Sequence, residues 1–355
     1  MKKTILTIFQ YLLFLGLGIW IIYQMLHQLT DQQKTDLANA IRNANAWYLL
    51  PVFVIGFLSH LFRAMRWRYL LETVDLKPSL TNTTFAVLIG YIANLALPRA
   101  GEVAKCTVLA RYEKMPAHKM IGTIVAERAF DMVSLLVIAV AAFGLQMEFV
   151  STYVASKMGA LGEKFQNSKT ILMVLAAGAA LSIPVAVILY RRYKDTKVGM
   201  FVTELMRGVL SIIHMKKRWA FLGYTVLIWG MYLLQLWVGF MCLPETAGLS
   251  LVVALVVLVY GSIGMIVTPG GIGLYTLLVA QMLVAYGVTE VPAQAFGWIA
   301  WVAQTAVIIV LGLVSLIAIQ PYNRKRNGQA AMDRAEDSIA WAAGAGMQRL
   351  ARTEP

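Results

Sequence analysis

The sequence has little charge and no long hydrophilic stretch. Asp, Glu, Lys and Arg together make up 14% of its 355 residues, whereas a soluble globular chain has about 25%. The longest polar segments are approximately 148–168, 191–218 and 320–355, and none of them is long enough to form a catalytic domain. These absences exclude a conventional soluble enzyme and indicate a membrane protein.

Residues for metal, redox or nucleophilic chemistry are also scarce. The two cysteines, Cys106 and Cys242, lie in separate apolar segments, and the four histidines are scattered along the chain. Neither set has the spacing of a zinc site or a disulfide framework. No Gly-Lys-Ser/Thr phosphate-binding loop occurs either. We therefore expect no metal, no cofactor and no catalytic residues.

The charge that is present is strongly basic, with a formal net charge of +13. A basic chain can bind nucleic acid, but in a membrane protein Lys and Arg concentrate in cytoplasmic loops that face anionic lipid. The second interpretation fits a chain with a mean hydropathy of +0.68. It predicts membrane lipids as partners and no nucleic acid.

Apolar residues are abundant, at 59% of the chain. A helix that crosses a membrane needs about 20 of them in a row. Lys2 and Lys3 precede an apolar run that is longer than a signal-peptide core, so we expect an uncleaved first span. Six segments qualify as full spans: 4–26, 46–64, 119–147, 169–190, 219–243 and 293–319.

Two further apolar segments are interrupted. Residues 84–112 break at Pro98 to Glu102, and residues 250–287 break at Thr268 to Gly273. Proline removes a backbone donor and glycine loosens the backbone, so both breaks should interrupt a helix. We interpret each segment as a re-entrant hairpin that enters and leaves the membrane from one side. The alternative is a kink within an ordinary span.

The distribution of Lys and Arg then sets the topology. The fold class is an all-α polytopic membrane protein with about six full spans and two re-entrant hairpins, eight hydrophobic segments in all. Residues 46–147 and 219–319 form matching halves, which predicts an inverted repeat. The transmembrane domain covers 1–320, and 321–355 form a basic, then Ala/Gly-rich tail. Both termini are predicted to be cytoplasmic.

Charged residues cluster where the bilayer should be. Each costs about 2.5–3.5 kcal/mol at bilayer depth, so such residues line a cavity or form pairs. Glu127 and Asp131 share a helix face, and Glu102 and Lys105 are close enough to pair locally. The cluster either braces the hairpin or forms a polar cavity for a lipid headgroup. Its members are Arg99, Glu102, Lys105, Glu127, Arg128 and Asp131.

Arg99 is the sharpest candidate within this cluster. It follows Pro98 at a predicted hairpin tip, where free backbone N–H groups and a guanidinium suit a phosphate or carboxylate. The alternative is an arginine that extends to the interface. The tip residues are Pro98 and Gly101 in the first hairpin, and Pro269, Gly270, Gly271 and Gly273 in the second.

A basic-aromatic group follows the second span. It is explained either by ordinary anchoring at the cytoplasmic surface or by contact with phospholipid headgroups. Its members are Arg63, Arg66, Trp67 and Arg68.

The ordered set of these motifs resembles the flippase-like membrane region of lysylphosphatidylglycerol synthases and its stand-alone relatives. The resemblance covers roughly 4–320. It departs where the family commonly has an acidic residue after the second glycine run, since this chain has Leu274, Tyr275 and Thr276. The motifs are Arg63-x-x-Arg66-Trp67-Arg68, Gly90 with Asn94, Leu97-Pro98-Arg99-Ala100-Gly101-Glu102, Glu127-Arg128-x-x-Asp131 and Pro269-Gly270-Gly271-Ile272-Gly273.

The resemblance implies a lipid flippase that moves a polar-headed, phospholipid-type lipid between leaflets of the cell (inner) membrane. It adds Asn94 to the predicted cavity. The aminoacyl-transfer domain of the two-domain synthases is missing here, so we expect no enzyme activity. The alternative is a membrane enzyme or an accessory subunit in lipid modification, with a separate lipid-modifying enzyme as partner. Whether the chain forms homo-oligomers is left open.

Overall fold

The computed structural model of the protein describes residues 2–96, 100–146, 212 and 215–350, with side chains for 15–95, 100–146, 212 and 215–329. These residues form helices and the turns between them, which confirms the all-α prediction. The helices are α1 (Lys2–His27), α2 (Asp31–Arg42), α3 (Leu49–Glu72), α4 (Leu80–Ala96), α5 (Ala100–Glu113), α6 (Ala117–Leu145), α7 (Arg218–Phe240), α8 (Leu251–Val267), α9 (Leu274–Ala285) and α10 (Glu290–Leu350). One-turn helices occur at Ala46–Tyr48, Pro244–Ala247 and Pro269–Gly271.

Among the described residues, four helical stretches are long and apolar enough to cross a membrane, and each contains most of a predicted span. They are Ala46–Glu72, Ala117–Leu145, Arg218–Phe240 and Glu290–Gln329. Helix α1 has 26 residues and encloses the predicted first span. The predicted span 169–190 lies outside the described residues.

Helix α3 is longer than the predicted span 46–64 and ends only at Glu72. The basic-aromatic group therefore belongs to this helix and does not follow it. The physical reason is that Arg63 and Arg66 are buried at 6% and 0% exposure, where acidic partners on α6 neutralise them. Arg63 and Arg66 are thus internal residues of the fold.

Helix α2 begins directly after its N-cap residue, Thr30. The Thr30 side chain accepts a hydrogen bond from the Gln33 backbone, and the Gln33 side chain accepts one from the Thr30 backbone. This reciprocal capping box satisfies two donors at the start of the helix. Leu37 is buried on its inner face.

Helices α4 and α5 form an antiparallel pair. Near the turn, Asn94 Oδ1 accepts a hydrogen bond from the Gly101 backbone at 2.8 Å. At the open end, the Ser79 hydroxyl and the Asn82 amide donate to Glu113 at 2.5 and 2.6 Å. Midway, a Cβ on Gly90 would lie 2.8 Å from the Gly101 carbonyl. The small residues thus let the two backbones touch.

The open end of this pair is attached to α10. Arg326 forms an ion pair with Glu113 at 2.7 Å. Asn82 and Asn323 exchange two amide hydrogen bonds, at 2.9 and 2.8 Å. Helix α10 runs without interruption from Glu290 to Leu350 and contains Pro321. It therefore joins the last span to most of the predicted tail.

Helices α8 and α9 make the second pair, joined by a turn that begins at Pro269. Gly270, Gly271 and Gly273 have φ angles of 62°, 74° and 73°, a left-handed conformation that glycine adopts without strain. A Cβ on Gly264 would lie 2.7 Å from the Tyr275 Cα. The predicted break is confirmed, and the two helices pack closely on each other.

The two halves exchange equivalent contacts. Helix α3 of the first half packs on α7 of the second, and these are the first long helices of each half. Helix α4 packs on α10, and α8 packs on α6. Such reciprocal contacts are expected from a two-fold relation between repeats. The second turn is also close to the end of α4, because a Cβ on Gly270 would lie 3.3 Å from Leu95 Cδ2.

Candidate functional site

A buried ion cluster links α3, α5 and α6. Asp131 accepts hydrogen bonds at 2.7 Å from both Arg63 and Arg66. Glu127 accepts from Lys105 at 2.6 Å and lies 3.2 and 3.5 Å from Arg63 and Arg66. Three cations thus enclose two carboxylates, and all four carboxylate oxygens have a cationic partner.

Groups on other helices complete this cluster. Arg63 donates to the Tyr232 hydroxyl on α7 at 3.1 Å, and Arg66 donates to Thr225 at 3.3 Å. Lys105 Nζ lies 4.4 Å above the centre of the Trp67 ring, a distance that suits a cation–π interaction. The cluster therefore connects the first half of the chain to the second through α7.

A second ion pair lies beside the cluster and is more exposed. Arg128 Nη2 is 2.7 Å from Glu102 Oε1, and the two side chains are 44% and 24% exposed. The sequence suggested that Glu102 and Lys105 pair locally, but each has a partner on α6 instead. The reason is that Lys105 points into the buried cluster while Glu102 faces Arg128.

A cavity of about 980 Å³ adjoins the ion cluster. One wall is polar and charged, while the remaining lining is mainly apolar and comes from both halves of the chain. The polar wall includes Ser59, His60, Arg63, Tyr91, Asn94, Glu102, Arg128, Asp131, Tyr232 and Gln235. The apolar lining includes Leu49, Val52, Leu95, Met132, Leu135, Leu236, Leu258, Met265, Phe296, Ile299, Val307 and Ile308.

The predicted cavity residues divide into three groups. Asn94, Glu102, Arg128 and Asp131 line the cavity. Lys105 and Glu127 are 6% and 1% exposed and pack behind this wall. Arg99 and Pro98 lie outside the described residues, so the phosphate-binding role of Arg99 stays a prediction. Gly101 lies next to that turn, where its backbone donates to Asn94.

The predicted surface contacts of the basic-aromatic group need correction. Trp67 is fully buried and donates from its indole to Thr123 at 3.0 Å. Arg63 and Arg66 are occupied by the carboxylates of α6. Arg66 and Trp67 are internal, and Arg63 lines the cavity, so none of the three lies at the outer surface. Arg68 is partly exposed, and its headgroup contact stays a prediction.

The second turn contributes backbone and apolar surface to the cavity. Thr268, Pro269 and Gly270 line it, and Trp301 on α10 donates to the Gly270 carbonyl at 2.8 Å. Tyr275, which lies in the segment where the sequence departs from the resemblance, is 4% exposed. Its ring packs against Gly261, so this position serves packing in this chain.

Sequence reasoning missed the ion-pair partners of Arg63 and Arg66 and several residues of the polar wall. Arg63 and Arg66 are three apart on α3, the spacing of one helix face, and this could have matched them to Glu127 and Asp131. Tyr232 and Gln235 carry no comparable signal, since single polar residues in an apolar span also occur at lipid-facing and packing positions. Only the packing of α7 on α3 brings them to the site.

The fold and the site define a multi-pass membrane protein with an amphipathic cavity between two pairs of short helices. The family model for the lysylphosphatidylglycerol synthase TM region matches residues 7–312, so the chain belongs to that family. It is also similar to a UPF0104 membrane protein of Methanocaldococcus jannaschii, with 20% identity over 343 residues that cover 92% of this chain and 98% of the relative. No solved structure matches the chain significantly.

Proposed function

We propose that this protein moves polar-headed phospholipids between membrane leaflets through the amphipathic cavity. The observation that carries the proposal is the division of that cavity of about 980 Å³ into one charged wall and a mainly apolar remainder. Ligand pockets usually measure about 300–1,000 Å³, so this cavity is at the upper end of the range. A headgroup fits the charged wall, and acyl chains fit the apolar lining.

The lengths of the paired helices support a re-entrant arrangement. Helices α4 and α5 have 17 and 14 residues, and α8 and α9 have 17 and 12. At 1.5 Å per residue each is at most about 26 Å long, shorter than a hydrocarbon core of about 30 Å. Each pair then enters and leaves the bilayer from one side, and the turns meet inside it.

The reciprocal packing of the halves supports opposite orientations for the two hairpins. In an inverted repeat, broken helices at matching positions place a substrate site near the midplane. The short distance between Leu95 and Gly270 fits this arrangement. A headgroup held between the turns can be released to either leaflet when the hairpins move against each other.

The charged residues then have separate roles. The buried ion cluster holds α3, α5 and α6 together and supports the polar wall of the cavity. Its members are Arg63, Arg66, Lys105, Glu127 and Asp131. The half-exposed Arg128 binds the phosphate together with the predicted contact from Arg99. This assignment gives Glu127 a structural role, because its oxygens are already occupied.

A transport assay with a blocked cavity tests the proposal. Purified protein is reconstituted into liposomes with a fluorescent phospholipid, and the loss of outer-leaflet fluorescence after adding a membrane-impermeant reductant is followed. Ala303 lines the cavity, so Ala303→Trp fills it and should slow transport towards the rate of protein-free liposomes. The matched control is Val302→Trp, at a neighbouring position that is 52% exposed on the outside of the helix.

Transport by the wild type and by Val302→Trp, with loss in Ala303→Trp, is the expected result. Wild-type protein that behaves like empty liposomes for every phospholipid would overturn the proposal. So would equal rates in the two tryptophan variants. Lipid mass spectrometry of deletion and wild-type membranes separates transport from lipid modification, since a missing modified lipid would indicate an enzyme.

A further inference from the structure

The charged residues that line the cavity differ in whether they are free to bind a ligand. Both oxygens of Asp131 accept 2.7 Å hydrogen bonds from arginines. Both oxygens of Glu127 are likewise within ion-pair distance of cations. A ligand that recruited either carboxylate would have to break a buried ion pair, which is strongly unfavourable.

The pair Arg128–Glu102 is different in three respects. It is joined by a single 2.7 Å contact, and its two side chains are 44% and 24% exposed. Among the described residues, Glu102 Oε2 has no hydrogen-bond partner. Partly exposed pairs of this kind contribute little to stability. They can therefore exchange their internal contact for contacts with a ligand.

A nearby histidine also has unused hydrogen-bonding capacity on the same wall. His60 is 6% exposed and lines the cavity, and its Nδ1 has no partner among the residues that the structure describes. Its ring lies 4.6 Å from that of Tyr91, so it is held in place by packing. A buried polar atom without a partner is unfavourable, and a ligand headgroup at this wall can satisfy it.

We propose that the Arg128–Glu102 pair selects zwitterionic phospholipids, whose headgroup carries one phosphate and one ammonium group, over anionic ones. The phosphate binds the Arg128 guanidinium, and the ammonium group binds the Glu102 carboxylate. Each side chain thus exchanges one ionic partner for another, and no charge is left unpaired. This inference rests on the proposed function and specifies its substrate class.

An anionic headgroup without an ammonium group is less favourable at this pair. Its phosphate would occupy Arg128 and leave the Glu102 carboxylate unpaired beside a second negative charge. Discrimination of this type arises from a repulsive contact with the wrong ligand as much as from attraction to the right one. Glu102 is accordingly the residue on which the preference depends, and Arg128 is needed for both lipids.

Lipid binding, measured separately from transport, tests the selection. The purified full-length protein in detergent is titrated with equal amounts of phosphatidylethanolamine and phosphatidylglycerol with identical acyl chains, and bound lipid is counted by native mass spectrometry. A lost hydrogen bond between charged groups changes affinity about tenfold. We expect the wild type to favour the ethanolamine lipid by about that factor.

Glu102→Gln should bring the two affinities close together, and Arg128→Gln should weaken the binding of both lipids. The matched control is Glu113→Gln, on the same helix, where the carboxylate pairs with Arg326 at 2.7 Å and does not line the cavity. It should keep the wild-type preference. Thermal unfolding in the same detergent establishes that each variant is folded.

Equal binding of the two lipids by the wild type would overturn the inference. An unchanged preference in Glu102→Gln, or unchanged binding in Arg128→Gln, would also overturn it. If the wild type showed the binding preference but no transport in the liposome assay, only the proposed function would be overturned. The two failures are therefore distinguishable.

Discussion

The two pairs of short helices in this protein have the same architecture but very different chemistry. Helices α4–α5 and α8–α9 are both pairs of short helices that touch through glycines, at Gly90 and Gly101 in the first and at Gly261 and Gly264 in the second. The first carries Glu102, Lys105 and Glu113, whereas residues 251–285 contain no Asp, Glu, Lys or Arg. The two helix pairs thus share a similar scaffold, and the ionic chemistry lies in the first of them.

This difference matches what each hairpin contributes to the cavity. The first pair supplies Glu102 and Lys105, which form ion pairs with Arg128 and Glu127 of α6, and Glu102 lines the charged wall. The second supplies the backbone of its turn and a closely packed apolar surface around Tyr275. Substitutions should therefore affect the first hairpin through charge and the second through packing.

The largest effect is expected from breaking the ion cluster. Glu127→Ala leaves Arg63, Arg66 and Lys105 with only the Asp131 carboxylate, so the free energy of unfolding should fall by about 3–5 kcal/mol. Denaturant titration of the detergent-solubilised protein measures this change. The control is Arg128→Ala, whose half-exposed ion pair contributes about 0–1 kcal/mol. If both variants lost the same free energy of unfolding, the buried cluster would not be what holds α3, α5 and α6 together.

An intermediate effect should be the same in both hairpins. Gly101→Ala and Gly264→Ala each place a methyl group against the backbone of the paired helix, and such overpacking costs about 1–3 kcal/mol. Thermal unfolding of the purified variants measures it. Gly223→Ala in α7 is the control, because nothing lies within 4 Å of its Cβ position. Tolerance of alanine at Gly264 alone would show that the second pair is looser than the first.

A smaller effect should be confined to the second turn. Trp301→Phe keeps an aromatic side chain, though a smaller one, and removes the hydrogen bond to the Gly270 carbonyl, which is worth about 0.5–1.5 kcal/mol. Protease accessibility of the turn and the apparent melting temperature report the loss. Trp298→Phe is a matched control, since its ring packs against Trp301 at 6.1 Å. Identical behaviour of both variants would contradict a specific role for the Trp301 indole.

The smallest effect concerns the open end of the first hairpin and depends on pH. Burial by itself would raise the pKa of Glu113, but the hydrogen bonds from Arg326, Ser79 and Asn82 outweigh it and hold the pKa below its usual value. A carboxylate with a lowered folded-state pKa stabilises the fold above its unfolded pKa of about 4.3. That contribution is lost as the pH falls through the folded-state pKa.

The melting temperature of the wild type should therefore exceed that of Glu113→Gln at neutral pH. The difference in melting temperature should shrink as the pH is lowered below the pKa of the unfolded carboxylate. A difference that stays constant across the acidic range would show that the ion pair with Arg326 does not stabilise the hairpin.

Local sequence features predicted the scaffold well. The breaks at Pro98 to Glu102 and at Thr268 to Gly273 could be predicted because proline and glycine interrupt helices in most contexts. The charged residues of α5 and α6 are visible because charge is rare at bilayer depth. Both signals depend on the residues themselves and need no knowledge of packing.

The pairing within the site could not be predicted in the same way. Arg63 and Arg66 were assigned to the membrane surface because Lys and Arg at the end of a span usually are. Their burial depends on the approach of α6, a tertiary contact between residues more than sixty positions apart. The position of Tyr232 in the site also depends on a tertiary contact, the packing of α7 on α3, and could not be predicted from the sequence.

Cryo-electron microscopy of the protein in nanodiscs that contain phosphatidylethanolamine tests the cavity most directly. We predict lipid density in the cavity, with the headgroup beside Arg128 and Glu102 and the acyl chains along the apolar lining near Leu258 and Phe296. A cavity closed by protein side chains, with lipid only on the outer surface of the helices, would contradict lipid passage between the two hairpins.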